Sequence, residues 1–183
     1  ETLPEVDPDD IAYIQYTSGS TRFPRGVVIK HRTAMANING MVVDGLQVTS
    51  GDRMVSWLPF YHDMGLVGMV LAPLAAQLSV DYLDTRVFAM RPRRWLELMS
   101  KSRATISLGP PFGYDLVSRR LRPGEAQRFD LSNWRVAGVG ADTVVGPLDG
   151  VPALYPLDGL AAPAVAVVSS AGMDGADGGW PVL

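Results

Sequence analysis

Cysteine is absent from all 183 residues, and only two histidines are present. The first absence excludes a disulfide scaffold, a thiolate metal site and a cysteine nucleophile. The second leaves two imidazoles among scattered carboxylates, which make no metal-ligand spacing, so no protein-held metal is expected. There is no lysine- and arginine-rich run and no basic arm, and the formal net charge is −3. That removes the electrostatic footprint of a nucleic-acid or anionic-membrane partner. Long hydrophobic runs are lacking too. The longest, Met64 to Ala76, is interrupted by Pro73 and falls short of the roughly 20 residues of a membrane-crossing helix. The chain opens on Glu1, with no basic stretch ahead of an apolar one, so no secretory leader is read and a start further upstream is expected. These absences predict a soluble cytoplasmic protein.

Cations are missing from one part of the chain only. All 16 Lys and Arg lie at or before Arg135, whereas residues 136–183 hold five Asp and no cation. That last stretch also carries 9 of the 19 Gly and 5 of the 14 Pro, which break regular elements. From about Thr143 onward the chain is expected to be irregular, mobile or only locally strand-like. Hydrophobic residues make up 47% of the whole, enough for a real core.

Before Thr143 the pattern is regular. Ile11 to Tyr16 is a nearly continuous β-prone run, which predicts a strand covered on both faces. Val27 to Ile29 predicts another strand. From Arg32 to Leu46, Met35, Ile38, Val42 and Leu46 recur at helical spacing and predict one apolar face. Further strands are predicted over 54–58, 79–83, 104–108 and 134–138. Helices are predicted over 65–77 (kinked or started near Pro73), 92–102 and 114–121. Strands alternating with helices predict an α/β fold with a mainly parallel sheet and flanking helices.

The segment between the first two strands carries the most chemistry: Tyr16-Thr-Ser-Gly-Ser-Thr-Arg-Phe-Pro-Arg-Gly26. Hydroxyls at Thr17, Ser18, Ser20 and Thr21 surround Gly19, where the backbone can approach a ligand closely. Backbone N–H groups and hydroxyls can wrap phosphate oxygens, and Arg22 or Arg25 can neutralise them. Gly19 and Gly26 are too far apart for a Walker A loop. By composition alone the run also reads as an ordinary Ser/Gly turn.

In its order of residues the run resembles the phosphate-binding signature of the adenylate-forming, AMP-binding superfamily, usually Thr-Ser-Gly-Ser-Thr-Gly-x-Pro-Lys-Gly. Arg22 stands in the usual Gly position, as in the fatty acyl-AMP ligase branch, and Arg25 in the usual Lys position. Leu58-Pro-Phe-Tyr-His-Asp-Met-Gly-Leu66 resembles the motif beside the acyl pocket, although a His-Asp pair alone is more simply a satisfied structural pair. Gly109-Pro-Pro-Phe-Gly-Tyr-Asp-Leu116 resembles the strand-to-helix turn lining the acyl tunnel, and is otherwise a Pro/Gly turn with core aromatics. Asp130 to Asp142 resembles the strand ending in Gly-Ala-Glu, with Asp142 in place of Glu. In open α/β sheets ligands bind beyond the carboxyl ends of strands, where all four segments are expected.

The resemblance implies the large N-terminal domain of the adenylate-forming fold, incomplete here, over residues 1–142, with 143–183 a tail unlike the family. It implies ATP-dependent activation of a fatty acid to an acyl-adenylate with release of pyrophosphate, Mg²⁺ arriving with ATP. Thr17, Ser18, Gly19, Ser20, Thr21, Arg22, Arg25 and Gly26 would bind phosphates. His62, expected as a buried imidazole facing both substrates, would act in catalysis, and Asp63 would support its loop. Phe60, Tyr61, Met64, Gly65, Phe112, Gly113 and Tyr114 would line the acyl pocket. Gly140, Ala141 and Asp142 would border the adenylate. His31 is read as structural. The acceptor would be an acyl carrier protein or CoA. The family's adenine-stacking Tyr, ribose-gripping Asp and C-terminal catalytic Lys have no counterpart, so the chain is expected to be inactive as it stands. An acyl-CoA ligase fragment, or a non-catalytic remnant binding nucleotide weakly, are the alternatives.

Overall fold

A computed structural model describes residues 4–16 and 25–140, and the backbone of 164–168. From Arg53 onward, strand and helix alternate. Strand β3 (Arg53–Ser56) leads through a π-helical segment (Met64–Leu71) and a short helix α2 (Ala72–Ala75) to β4 (Ser79–Tyr82). Helices α3 (Thr85–Met90) and α4 (Arg93–Ser102) lead to β5 (Ile106–Gly109). Helix α5 (Pro111–Arg120) and a 3₁₀ turn (Ala126–Arg128) precede β6 (Val136–Gly140). The strands form a parallel sheet in the order β4-β3-β5-β6-β7, where β7 is Ala164–Val168. The anionic tail therefore contributes an edge strand paired in register with β6.

Burial explains the strand sequences. Every residue of β5 and β6 is buried, so both faces must be apolar or internally satisfied. The chain steps from β3 outward to β4 and then back across to β5. With right-handed crossovers, these opposite steps put the π-helical segment on one face and α3, α4 and α5 on the other. On the first face Leu108 fills the space left by Gly138 and Gly68. A Cβ on Gly138 would lie 2.1 Å from Leu108 Cδ2. On the second face Trp95 packs edge-on against Tyr114 at 5.0 Å and Trp134 at 5.4 Å, and its indole donates to Ser107 Oγ.

Several expectations need correction. Strand β1 (Ile11–Tyr16) pairs antiparallel with β2 (Gly26–Lys30) in a separate two-stranded sheet, not within the parallel one. It is not covered on both faces: Ile11, Ile14 and Tyr16 are exposed, and α1 (His31–Asn39) packs against the hairpin. The predicted helix 32–46 is present but changes type, since Gly40–Gly45 is π-helical. The wider turn shifts the phase, so Ala34, Ile38 and Leu46 are buried while Met35 is exposed. Helix α3 was not predicted. Its start is set by Asp84, whose carboxylate accepts from the Arg86 and Val87 N–H groups. The irregularity near Pro73 is as expected: Pro73 cannot donate to the Met69 carbonyl four residues back, and the Tyr82 hydroxyl donates to it instead at 2.7 Å.

At the amino ends of the central strands one carboxylate gathers four elements. Asp52 accepts from Arg135 Nη2 at 2.6 Å and Thr105 Oγ1 at 2.6 Å, and from the Thr49 N–H at 2.8 Å. Arg135 also donates to the Leu46 and Gln47 carbonyls. Burial disfavours the charge on Asp52, but the hydrogen bonds from Arg135, Thr105 and Thr49 outweigh it and hold the carboxyl at about 2, against an ordinary 3.8. A carboxyl lowered by folding stabilises the protein fully above its unfolded value, and that stabilisation is lost as pH falls through the folded one. Asp52→Asn is therefore expected to cost about 2 kcal/mol at neutral pH. Urea unfolding of both forms should show the gap closing between pH 4 and 2. A gap that stays constant would contradict this account.

Candidate active site

Because β3, β5 and β6 are adjacent and parallel, the segments that follow them leave the sheet at the same edge, spread over about 10 Å at the usual strand spacing. Three of the four sequence motifs emerge there: the loop 57–63, the turn 109–113, and Gly140 at the end of β6. Gly140 is buried and paired with Val168. Ala141 and Asp142 lie outside the described residues.

The loop after β3 is held from both ends. The Leu58 N–H donates to Ser56 Oγ, and Thr85 Oγ1 donates to the Trp57 carbonyl at 2.8 Å. The His62 N–H donates to the Pro59 carbonyl and the Leu66 N–H to the His62 carbonyl. Gly65 makes this turn closable, since a Cβ there would sit 2.1 Å from the Pro59 oxygen. Asp63 caps the π-helical segment, accepting from the Met64 N–H at 2.7 Å. The same carboxylate lies 2.7 Å from His62 Nδ1, an ion pair when the imidazole is protonated. The His62 side chain is 51% exposed, which corrects the expectation of a buried imidazole: nothing described stands over it. Phe60 and Tyr61 are exposed as well, and Phe60 packs edge-on against Tyr82 at 5.1 Å.

At the second segment, Pro111 opens α5, Phe112 is exposed and Gly113 is buried. Gly113 abuts the Trp57 indole so closely that a Cβ would come within 2.5 Å of Cζ2. Tyr114 faces inward, fully buried, with its hydroxyl donating to the Gly138 carbonyl at 2.9 Å. It supports the sheet from within, while Phe112 and Gly113 stand at the edge.

The hairpin reaches the same region. The Tyr13 phenol is pushed up by burial and by the negative charge of Asp63, which places β1 beside the His62 loop. Of the phosphate-loop residues, Gly26 begins β2 and Arg25 precedes it. Thr17, Ser18, Gly19, Ser20, Thr21 and Arg22 lie outside the described residues. The strands on either side of that loop, β1 and β2, are an antiparallel pair. Trp57 and Tyr13 were missed as residues of this region. Trp57 directly precedes a motif, but an aromatic at a strand end reads as core. Among the described residues no three His, Asp or Glu side chains gather as a metal site, and no helix is long and apolar enough to cross a membrane.

The sequence model for AMP-binding enzymes matches residues 1–148. The chain belongs to the AMP-binding enzyme family. Within it, a Caulobacter vibrioides protein named as an acyl-CoA synthetase is 47% identical over 145 residues, covering 79% of this chain and 25% of the relative. A medium-chain-fatty-acid–[acyl-carrier-protein] ligase of Teredinibacter turnerae is 43% identical over 141 residues, covering 77% and 22%. A solved chain from work on the fatty acyl-adenylate ligases of E. coli and L. pneumophila superposes with a TM-score of 0.84 at 50% identity, covering 92% of this chain and 31% of its own. The α/β architecture is thus that of part of the adenylate-forming fold, and the chain spans about a quarter of the length of the curated relatives.

Gly65→Ala should destabilise the protein by about 1–3 kcal/mol through the backbone clash at Pro59. Gly51→Ala, where a Cβ meets nothing within 4 Å, serves as the control. Thermal melts of both variants decide it: equal melting temperatures would mean that the loop yields without cost.

Proposed function

We propose that the protein carrying this segment activates a fatty acid by attack of its carboxylate on the α-phosphorus of ATP, giving the acyl-adenylate and releasing pyrophosphate. The carrying observation is the convergence of the His62 loop, the Gly109–Gly113 turn and the end of β6 at one sheet edge, with the hairpin beside them. Its support is the named activity of relatives and solved structures of the same family. In this reading residues 1–142 are the adenylation segment, and 143–183 are a tail whose strand Ala164–Val168 extends the same sheet.

The roles follow from position. Thr17, Ser18, Gly19, Ser20 and Thr21 offer hydroxyls and backbone N–H groups to the phosphates, and Arg22 and Arg25 offset their charge. Mg²⁺ enters with ATP as part of the substrate. His62, exposed at the edge and oriented by Asp63, meets the carboxylate and stabilises charge developing at the α-phosphate. Phe60, Tyr61, Met64, Gly65, Phe112 and Gly113 border the acyl chain, with Tyr114 holding the turn from beneath. Gly140, Ala141 and Asp142 border the adenylate. Most of the rate would come from positioning and fixed electrostatics. The acceptor in the second step is an acyl carrier protein, as the Teredinibacter relative's name suggests, and CoA is the second reading, favoured by the Caulobacter relative. ATP dependence suits the cytoplasm.

In a full-length ligase carrying this segment, Thr17→Ala with Ser20→Ala should cut fatty-acid-driven pyrophosphate release by a hundredfold or so. Unchanged kinetics in the double variant would remove the phosphate assignment. His62→Ala should slow adenylation while the melting temperature barely moves, because the side chain is half exposed. A large drop in stability with normal specific activity would make His62 structural. The 183-residue chain alone should give no fatty-acid-dependent ATP–pyrophosphate exchange, since the adenine-stacking, ribose-binding and lysine groups of the family lack counterparts in it. Saturable exchange would overturn that expectation.

A further inference from the structure

Three tryptophans are described, and their indole N–H groups are served differently. Trp95 Nε1 donates to Ser107 Oγ at 2.9 Å, and Trp134 Nε1 donates to the Val136 carbonyl at 2.8 Å. Trp57 is 3% exposed, and among the described residues its Nε1 has no acceptor. A buried donor without a partner loses its hydrogen bonds to water and gains nothing back, so native structures rarely keep one without a use. The surroundings fix the ring firmly. Phe88 stacks on it with centroids 3.7 Å apart and planes 9° from parallel. Trp95 and Phe112 meet it edge-on at 5.9 and 6.0 Å. Such aromatic contacts supply at best a weak N–H···π interaction, which does not replace an oxygen acceptor.

The place of the free donor is specific. Trp57 follows β3, and a Cβ built on Gly109 or Gly113 would lie 3.3 or 2.5 Å from its Cζ2. Cζ2 and Nε1 are both bonded to Cε2, so the free N–H lies one ring atom away from the part of the indole that touches these glycines. Gly109 and Gly113 belong to the turn assigned above to the acyl chain, and Phe112 between them is 56% exposed. Trp57 also lies on the α3–α5 face of the sheet, whereas the His62 loop continues onto the opposite face. A carboxylate held at His62 would leave the indole to the chain behind it. A plain alkyl chain there would leave the already desolvated N–H without an acceptor. A chain oxygen would satisfy it.

We propose that Trp57 is a specificity-determining residue whose indole N–H donates to an oxygen carried on the acyl chain, a hydroxyl or keto group, so that oxygenated fatty acids are preferred over plain ones of the same length. This rests on the acyl-adenylation reading. Sites built to bind a substrate oxygen discriminate against the analogue lacking it, because the site's own polar group is then left unpaired.

The test uses a full-length ligase carrying this segment and ATP–pyrophosphate exchange. Substrates are one plain fatty acid and its monohydroxy and mono-oxo isomers, with the oxygen moved along the chain. The wild type is compared with Trp57→Phe and with a variant in which Trp57 is replaced by 3-benzothienylalanine, which keeps the bicycle and exchanges N–H for sulfur. At least one isomer should exceed the plain acid by about tenfold in kcat/KM, and that ratio should fall to near one in both variants, with the benzothienyl protein melting at the wild-type temperature. Vigorous exchange with the plain acid and no favoured isomer would overturn the inference alone. So would a preference that survives the benzothienyl substitution, or a lowered melting temperature in that variant, which would mean that the N–H has a structural partner. No exchange with any acid would overturn the adenylation reading and this inference with it.

Discussion

The bidentate contact between Arg135 and Asp52 governs how the central strands line up. Arg135 immediately precedes β6, Asp52 immediately precedes β3, and Thr105, one residue before β5, donates to the same carboxylate. Three chains thus enter the sheet from one charged cluster. Parallel strands have no hairpin to set their register, so a shared anchor at their amino ends does it. The Arg135 contacts to the Leu46 and Gln47 carbonyls draw the end of the preceding helix into the same cluster. What leaves the opposite edge, the His62 loop, the Gly109–Gly113 turn and Gly140, is level because what enters is level.

Above that anchor the two faces of the sheet divide the work. The α3–α5 face is aromatic, with Trp57, Phe88, Trp95, Tyr114 and Trp134 in a continuous set of stacked and edge-on contacts. Each ring is too large and too well held to move without its neighbours. The other face is built from small residues, Gly68 and Gly138, around Leu108. A rigid aromatic floor therefore lies under one side of the sheet edge, while the segment bearing His62 crosses to the other. Motifs on either side can differ in mobility while sharing one scaffold.

Much of this was readable from residues alone. The alternation of strands and helices announced a mainly parallel sheet, and the order of residues around Gly19, His62 and Gly109 announced the family. Where reading failed, a specific interaction was responsible. Met35 was placed on the buried face by counting 3.6 residues per turn through a segment that winds more widely after Gly40. Helix α3 was missed because its signal is a single capping carboxylate, Asp84. Tyr114 was taken for a pocket residue because its link to the Gly138 carbonyl is a contact between distant parts of the chain. The covered-strand reading of β1 assumed neighbours that the described chain does not place there. Trp57 carried no sequence signal, since only the absence of an acceptor around its N–H sets it apart.

The π-helical run Met64–Leu71 has a further meaning, in evolutionary rather than energetic terms. A π-helical turn holds about one residue more than an α-helical one, so it is the footprint of a length change absorbed inside an element. The Tyr82 hydroxyl on the Met69 carbonyl bridges the point where the wide winding gives way to α2 at Pro73. Lineages that lost one residue here without changing the winding would turn every later side chain of the segment by roughly a quarter of a circle. They would then have to re-solve the fit of Gly68 against Leu108. Insertions and deletions within Met64–Leu71 should therefore be rarer among relatives than substitutions, and lengths here should be inherited as a unit with the glycine that faces the sheet.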